Sequence, residues 1–313
     1  MRAEREQGHE TDLVLVQENS FHTDVDALVQ PGTVIWLRWL ARIQFARSAI
    51  GQYDVFHFNK GETFLPGSLP FAFDLLWLRR KGKHTIVTFQ GSDARPQVPG
   101  APKTRWLPAT VTNWIKRIRI AQISRWSDTT YCLNPDLLQY VPGARFMPYA
   151  SVDLDALQPA PKESRNGRAF RVVHAPTNRQ LKGTQAVIDA VNEAARSTDI
   201  ELDLVEGVPH AEVIERIRRA DIAVDQLELG WYGGFAVECM ALGTPVIAWI
   251  DPAQLDAAPS EFTNELPIIR ATTASLTAVL LHAAAELDLV STAAKARLFA
   301  EQRHQPSSVA IGH

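Results

Sequence analysis

The 313 residues are 46% apolar and 21% charged, enough core for two ordinary domains, and carry a formal net charge of −3. So small a charge removes any whole-molecule electrostatic case for a nucleic-acid partner. Two cysteines, Cys132 and Cys239, far apart in apolar surroundings, exclude a disulfide framework or a cysteine-rich zinc site and favour a reducing compartment.

The opening stretch MRAEREQGHE is too polar for a signal peptide. It reads as the end of a helix closed by Gly8, with a strand following at Asp12–Val16. An α/β domain sets a strand and its phosphate-binding loop before such a helix, so the first domain is expected to be incomplete. A helical period covers Val34–Ala49, where Arg38, Arg42 and Arg47 interrupt what would otherwise approach a membrane-length apolar run. Strands at Tyr53–Phe58, His84–Phe89 and Thr130–Leu133 then alternate with helical periods at Phe71–Arg80 and Val111–Trp126. From 148 to 170 the chain turns rich in proline, serine and charge, which separates two βα series of similar size. The boundary is set there, giving domains 1–155 and 156–313. In the second series strands are expected at Phe170–His174, Glu201–Val205, Asp221–Asp225 and Val246–Ile250, with helices at Gln185–Arg196, Ala211–Arg219 and Phe235–Leu242. The alternation predicts parallel sheets covered on both faces by helices, and RVVHAP and PVIAWI are the continuous apolar runs such strands need.

Two segments carry candidate chemistry. In GWYGGFAVECMALGTPV, Gly233 and Gly234 suit a strand-to-helix turn with positive φ and close backbone approach, and Gly243 suits the stop. The first turn of that helix offers free amides to a phosphate, and Glu238 one turn in could grip the hydroxyls of an attached ribose. Read alone, Glu238 equally serves as an acid near a helix N-terminus. In HAPTNRQLKGT, Lys182 sits at a helix start, where the dipole disfavours a cation unless an anion lies between them; the other reading is an exposed lysine. Asp93 in QGSDAR is an acceptor-side candidate or a turn-former, and His57 in FHFN a cleft residue or a core histidine. The run 103–126 holds six basic residues and no acid, interleaved with Trp106, Trp114 and Trp126. Its face of Trp114, Ile118 and Ala121, flanked by Lys116, Arg117 and Arg119, fits either an anionic lipid surface or an ordinary packing helix. The helix near residues 34–48 has the same double reading. No HExxH or similar metal-ligand pair occurs among the nine histidines.

In this order the pieces resemble the family 4 glycosyltransferases of the GT-B fold. LKGT and GWYGGFAVECMALGTPVIAW resemble that family's C-terminal signature, and YDVFHFN, LRRKGKHTIVTFQGSD and NPDLLQYVPGARFMPYASVDLD its first domain and linker. The resemblance implies two Rossmann-like doubly wound domains facing across a cleft. It implies a retaining, hexosyltransferase-like, metal-independent enzyme without a cofactor, and a UDP-, GDP- or ADP-linked sugar as donor. The acceptor is expected to be an envelope, polysaccharide or lipid-linked glycan. The setting is expected to be cytoplasmic, with peripheral contact at the inner membrane face. By position Lys182 would meet the diphosphate and Glu238 the ribose, with Asp93 as a further catalytic candidate. Gly233, Gly234 and Phe235 would face phosphate or sugar, Val208 the base, and His57, Gln90 and Asp93 the acceptor. The family's first motif Glu falls on Gly230, with Glu228 two residues early. Its phosphate-binding Arg falls on Thr177, with Arg179 near, and its histidine on Gln90. The N-terminal glycine loop has no counterpart. These departures sustain the alternative of a non-catalytic GT-B-like binding subunit. An epimerase of this shape lacks a supporting acid–base cluster.

Overall fold

The computed structural model describes residues 4–5, 7–15, 26–29, 35–97, 108–150, 152–159 and 167–311. The chain divides into two compact units, Met1–Met147 and Pro148–His313, so the stretch 148–155, assigned above to the first half, packs with the second. Arg297 shows why: its guanidinium donates to the carbonyls of Leu154 and Leu157. Segments singled out in the sequence that include Val16, Val34, Lys103 and Trp106 reach outside the described residues.

In the first unit β1 (Val14–Leu15) pairs in parallel with β2 (Ala27–Leu28). A four-stranded parallel sheet follows, in the order β3 (Val55–Asn59), β4 (His84–Phe89), β5 (Thr129–Cys132), β6 (Arg145–Phe146). Helices Ile35–Gln52, Phe73–Arg80 and Ala109–Trp126 connect these strands. The core gathers Phe56, Val87, Phe89 and Cys132 from the sheet with Leu75, Leu78, Ile120 and Ile123 from the helices. Each such apolar side chain contributes ~1.5–3 kcal/mol on burial.

In the second unit β7 (Phe170–His174), β8 (Ile200–Leu204), β9 (Ile222–Val224), β10 (Val246–Ala248) and β11 (Ile269–Arg270) form one parallel sheet in the order β11-β10-β9-β7-β8. Alternation along the strands divides them between two helical layers. Val172, Ile222, Val224 and Ile247 share a core with Val187 and Val191 of helix Thr184–Ala194 and Leu276 and Leu280 of helix Leu276–Glu286. Helices His210–Arg219 and Gly234–Ala241 touch other parts of the sheet, and Leu289–Arg303 packs on the latter. The chain steps from β7 outward to β8 and returns on the other side of β7 to β9. The carboxyl ends of β7 and β9 therefore flank a topological switch point, where open α/β sheets leave a crevice for ligands.

The two-residue strands β2, β6 and β11 carry no period and are not legible in the sequence, whereas the equally short β1 lies within the apolar run read as Asp12–Val16. Among the described residues no single helix is long and apolar enough to cross a membrane.

Candidate functional site

The loop after β7 starts from a buried histidine. His174 is fully enclosed; its Nδ1–H donates to the Val224 carbonyl at 2.7 Å, which leaves Nε2 to accept from the Thr184 hydroxyl at 2.9 Å. Burial holds its pKa below the ordinary value, so the ring stays neutral and ties β7 to β9 and to the following helix. Asn178 caps the one-turn helix Arg179–Lys182 by accepting from the Leu181 amide at 3.0 Å. Gly183 ends that turn at φ 71°, and a Cβ there would lie 3.1 Å from the Leu227 side chain. Glycine serves both needs.

Lys182 reaches from this corner to the end of β9. Its Nζ donates to Asp225 Oδ1 at 2.5 Å, and Asp225 Oδ2 accepts from the Gly233 amide at 2.6 Å. The Asp225 side chain is 0% exposed and that of Lys182 13%. The anion that meets Lys182 is thus an acid of the chain itself, and the amide it shares caps helix Gly234–Ala241, not the helix that follows Lys182. Among the described residues, two N–H groups of Lys182 are left for another acceptor.

Gly233 is the N-cap of helix Gly234–Ala241 at φ −114°, so positive φ is not what it supplies. A Cβ there would meet Lys182 Nζ at 3.3 Å and carboxylate and amide oxygens of Asp225 and Gln226 at 3.5 Å. Close approach is the requirement. Gly234 faces open space, and among the described residues the amides of Gly234 and Phe235 have no intramolecular acceptor. They remain as the open end of the helix, with its partial positive charge.

Glu238 is the fifth residue of that helix and 21% exposed. Burial raises its pKa and the charge of Asp225 adds to this, while a hydrogen bond from His210 Nε2 at 2.8 Å works against both. The influence of Asp225 on Glu238 ties the lysine corner and the acid into one electrostatic neighbourhood.

Other expected residues lie differently. Thr177 is exposed. Arg179 forms a two-pronged ion pair with Glu206, whose carboxyl the guanidinium holds below the usual range, so it is already neutralised. Val208 is half-buried in the loop before His210. At Gly230 φ is 70°, and a Cβ would lie 2.6 Å from Gln254 Nε2 and 2.9 Å from Asp251 Cβ. The backbone there excludes the side chain that the resembled family carries. Glu228 leans instead over Gly183, its carboxylate 3.6 Å from a Cβ placed there.

In the first unit Asp93 accepts from the amides of Gln90 and Gly91 at 2.9 and 2.6 Å, which is the turn-forming geometry. The Gln90 carbonyl in turn accepts from Asn134 at 2.8 Å. His57 is exposed rather than enclosed and lies 2.7 Å from the Thr88 hydroxyl. The basic helix needs a larger correction. Arg119 is buried and donates to the carbonyls of Gly61, Leu65 and Phe71 and to the Thr63 hydroxyl, while Lys116 holds the carbonyls of Ser92 and Arg95. Both cations staple loops to the helix, so only Arg117 of the three lies exposed. An open groove of about 500 Å³ follows the outer face, lined by Thr110, Asn113, Trp114, Arg117, Ile118 and Ala121.

Sequence reasoning missed Asp225, Glu206, Asn178, His174 and His210. Asp225 left a signal, an acid closing a buried apolar strand at its carboxyl end. His210 left none. Among the described residues no three His, Cys, Asp or Glu side chains converge as metal ligands.

No protein-family model matches the sequence, and no curated protein does. Solved structures do. Sucrose-phosphate synthase from Thermosynechococcus elongatus aligns with TM-score 0.61 at 16% identity over 91% of this chain and 79% of that one. HepE from Anabaena in complex with UDP and glucose gives 0.59 at 14% identity, over 92% and 84%. HepE in complex with UDP-glucose gives 0.57 at 13%, with the same coverage. At such identities the likeness is one of fold: the chain has the GT-B architecture of two Rossmann-like domains, as the resemblance implied.

Proposed function

We propose that this chain is a glycosyltransferase that takes a sugar from a nucleotide-diphosphate donor at the carboxyl edge of its second sheet. One observation carries the reading: at the switch point between β7 and β9, Asp225 holds both Lys182 and the Gly233 amide, next to the open amides of Gly234 and Phe235 and one turn before Glu238. The shared fold adds to it, since HepE is held in complexes with UDP and UDP-glucose.

In this reading the diphosphate lies against the open helix end and the two uncommitted N–H groups of Lys182, and Glu238 accepts from the ribose hydroxyls. Transfer separates an oxocarbenium-like sugar from a diphosphate that gains negative charge. Fixed donors aimed at that charge are each worth ~3–4 kcal/mol in a preorganised site. Asp225 fixes the lysine before any ligand arrives. Transfer is retaining, by front-side attack with the leaving phosphate taking the acceptor proton, and it needs no metal. The acceptor is an envelope, polysaccharide or lipid-linked glycan, met in the cytoplasm at the inner membrane face, where the outer groove with Trp114, Ile118 and Arg117 would touch lipid.

The test is calorimetric titration with UDP, GDP and ADP, followed by hydrolysis of UDP-glucose with and without a chelator. Binding of one nucleotide with chelator-insensitive turnover is expected. Failure to bind any of the three would end the assignment. A second reading, a GT-B-like binding subunit without turnover, draws on the glycine at position 230 and on the ion pairs that already occupy Lys182 and Arg179. Tight nucleotide binding with no turnover of any donor would favour it.

A further inference from the structure

We infer that His210 positions Glu238 to receive a ribose, and so sets the site's preference for a ribonucleotide over its 2′-deoxy analogue; this rests on the role of Glu238 proposed above.

The contact joins two separate βα units. His210 is the first residue of helix His210–Arg219, and Glu238 lies 28 residues on, in helix Gly234–Ala241. The connection after β8 turns at Gly207, whose φ of 66° is open to glycine without cost, and Pro209 then starts the helix. The imidazole is 62% exposed, so no burial of its own drives it onto the carboxylate. What holds it is the 2.8 Å bond to Oε1. A carboxylate can only accept, so Nε2 carries the proton and donates. Oε1 is thereby anchored and the plane of the carboxylate restrained, with Oε2 at a defined place. A 2′,3′-diol needs two acceptor sites at fixed separation, and a carboxylate free to rotate supplies them only part of the time.

Two titratable groups act on Glu238: His210 from the helix after β8, and Asp225 from the end of β9. Burial and Asp225 favour the protonated acid; the hydrogen bond and charge of His210 favour the carboxylate. Removing the imidazole leaves the two raising influences unopposed. Glu238 then takes up its proton at higher pH, and affinity for a ribonucleotide is lost earlier as pH falls.

The experiment compares UDP with 2′-deoxy-UDP by calorimetry, from pH 5 to 8.5, on the full chain and its His210→Ala, His210→Gln and Glu238→Gln variants. The parent should prefer UDP by roughly tenfold or more, the worth of one hydrogen bond to a charged acceptor. In His210→Ala that preference should fall severalfold and the pH at half-maximal affinity should rise. His210→Gln, which keeps a donor, should restore most of the preference. Glu238→Gln should lose it whatever His210 does. An unchanged preference and pH midpoint in His210→Ala, with UDP still bound, overturns the positioning role and leaves the glycosyltransferase reading intact. No binding of UDP, GDP or ADP by the parent overturns both. Matching thermal melts of parent and variants exclude misfolding as the source of any change.

Discussion

At the scale of single residues, the site is built from cations that arrive already paired. Lys182 holds Asp225 and Arg179 holds Glu206, so the crevice has little net positive charge before a ligand enters. Of these pairs only the first is buried, and removing one partner of a buried pair strands the other. Asp225→Asn should therefore cost about 3 kcal/mol in urea unfolding and weaken nucleotide binding at least tenfold, because Lys182 loses its fixed position. An unaltered nucleotide affinity would show that the lysine's placement does not matter to the ligand. Arg119 and Arg117 make a second contrast, two residues apart on one helix. Burial presses the pKa of Arg119 below arginine's usual value, yet its guanidinium has four oxygen acceptors, and the carbonyls of Gly61 and Phe71 depend on it most. Arg119→Leu should destabilise the first unit by roughly 3–5 kcal/mol, whereas the exposed Arg117→Ala should stay within about 0.5 kcal/mol. Comparable losses from the two in denaturant melts would return Arg119 to the surface.

At the scale of elements, the turn between β9 and helix Gly234–Ala241 decides what the site can present. Gly230 adopts φ 70° and packs against Asp251 and Gln254, whose amide donates to the Leu229 carbonyl at 2.9 Å. Gly230→Ala should cost about 1–2 kcal/mol for the left-handed backbone alone, with the clash added. For the same reason Gly230→Glu should not restore a sugar contact; increased UDP-glucose turnover in that variant would contradict the steric account. The loop is held from its other side as well. Gln226 donates to the Trp231 carbonyl, and the Tyr232 hydroxyl lies 3.0 Å from His304 Nε2. The helix that follows thus starts from a braced turn rather than a mobile one, and its open amides keep a fixed aim.

At the scale of the whole molecule, two enclosed histidines link stability to pH. His304 donates from Nδ1 to the Tyr149 carbonyl at 2.7 Å and accepts from Tyr232 at Nε2, and burial pushes its pKa down to about 4. His174 is lowered by burial too. In the unfolded chain a histidine protonates near pH 6.5, so stability is full above that value and falls as pH drops from there towards 4. The loss from His304 amounts to roughly 3 kcal/mol across that window. His304→Gln should be less stable than the parent at pH 7.5 and show a shallower decline of melting temperature between pH 6.5 and 4.5. A decline as steep as the parent's would mean that other groups carry the acid sensitivity.

The sequence by itself determined the alternation of strands and helices, because buried parallel strands must be continuous apolar runs and the helices between them must show a 3.6 period. It also singled out Lys182 and Glu238 as candidates, since a lysine beside a glycine between a strand and a helix and an acid after a glycine turn stand out locally. What it could not determine was which partner each charge meets. Asp225, Glu206 and His210 reach the site from other βα units, and a distance of 43, 27 or 28 residues along the chain carries no signal of contact. Arg119 and Asp93 stayed open between two readings for the converse reason: a charged side chain looks available in one dimension until folding brings backbone carbonyls or amides to it. Only the tertiary structure decides that, because hydrogen bonding requires proximity, and proximity between distant residues follows from the order in which the strands assemble.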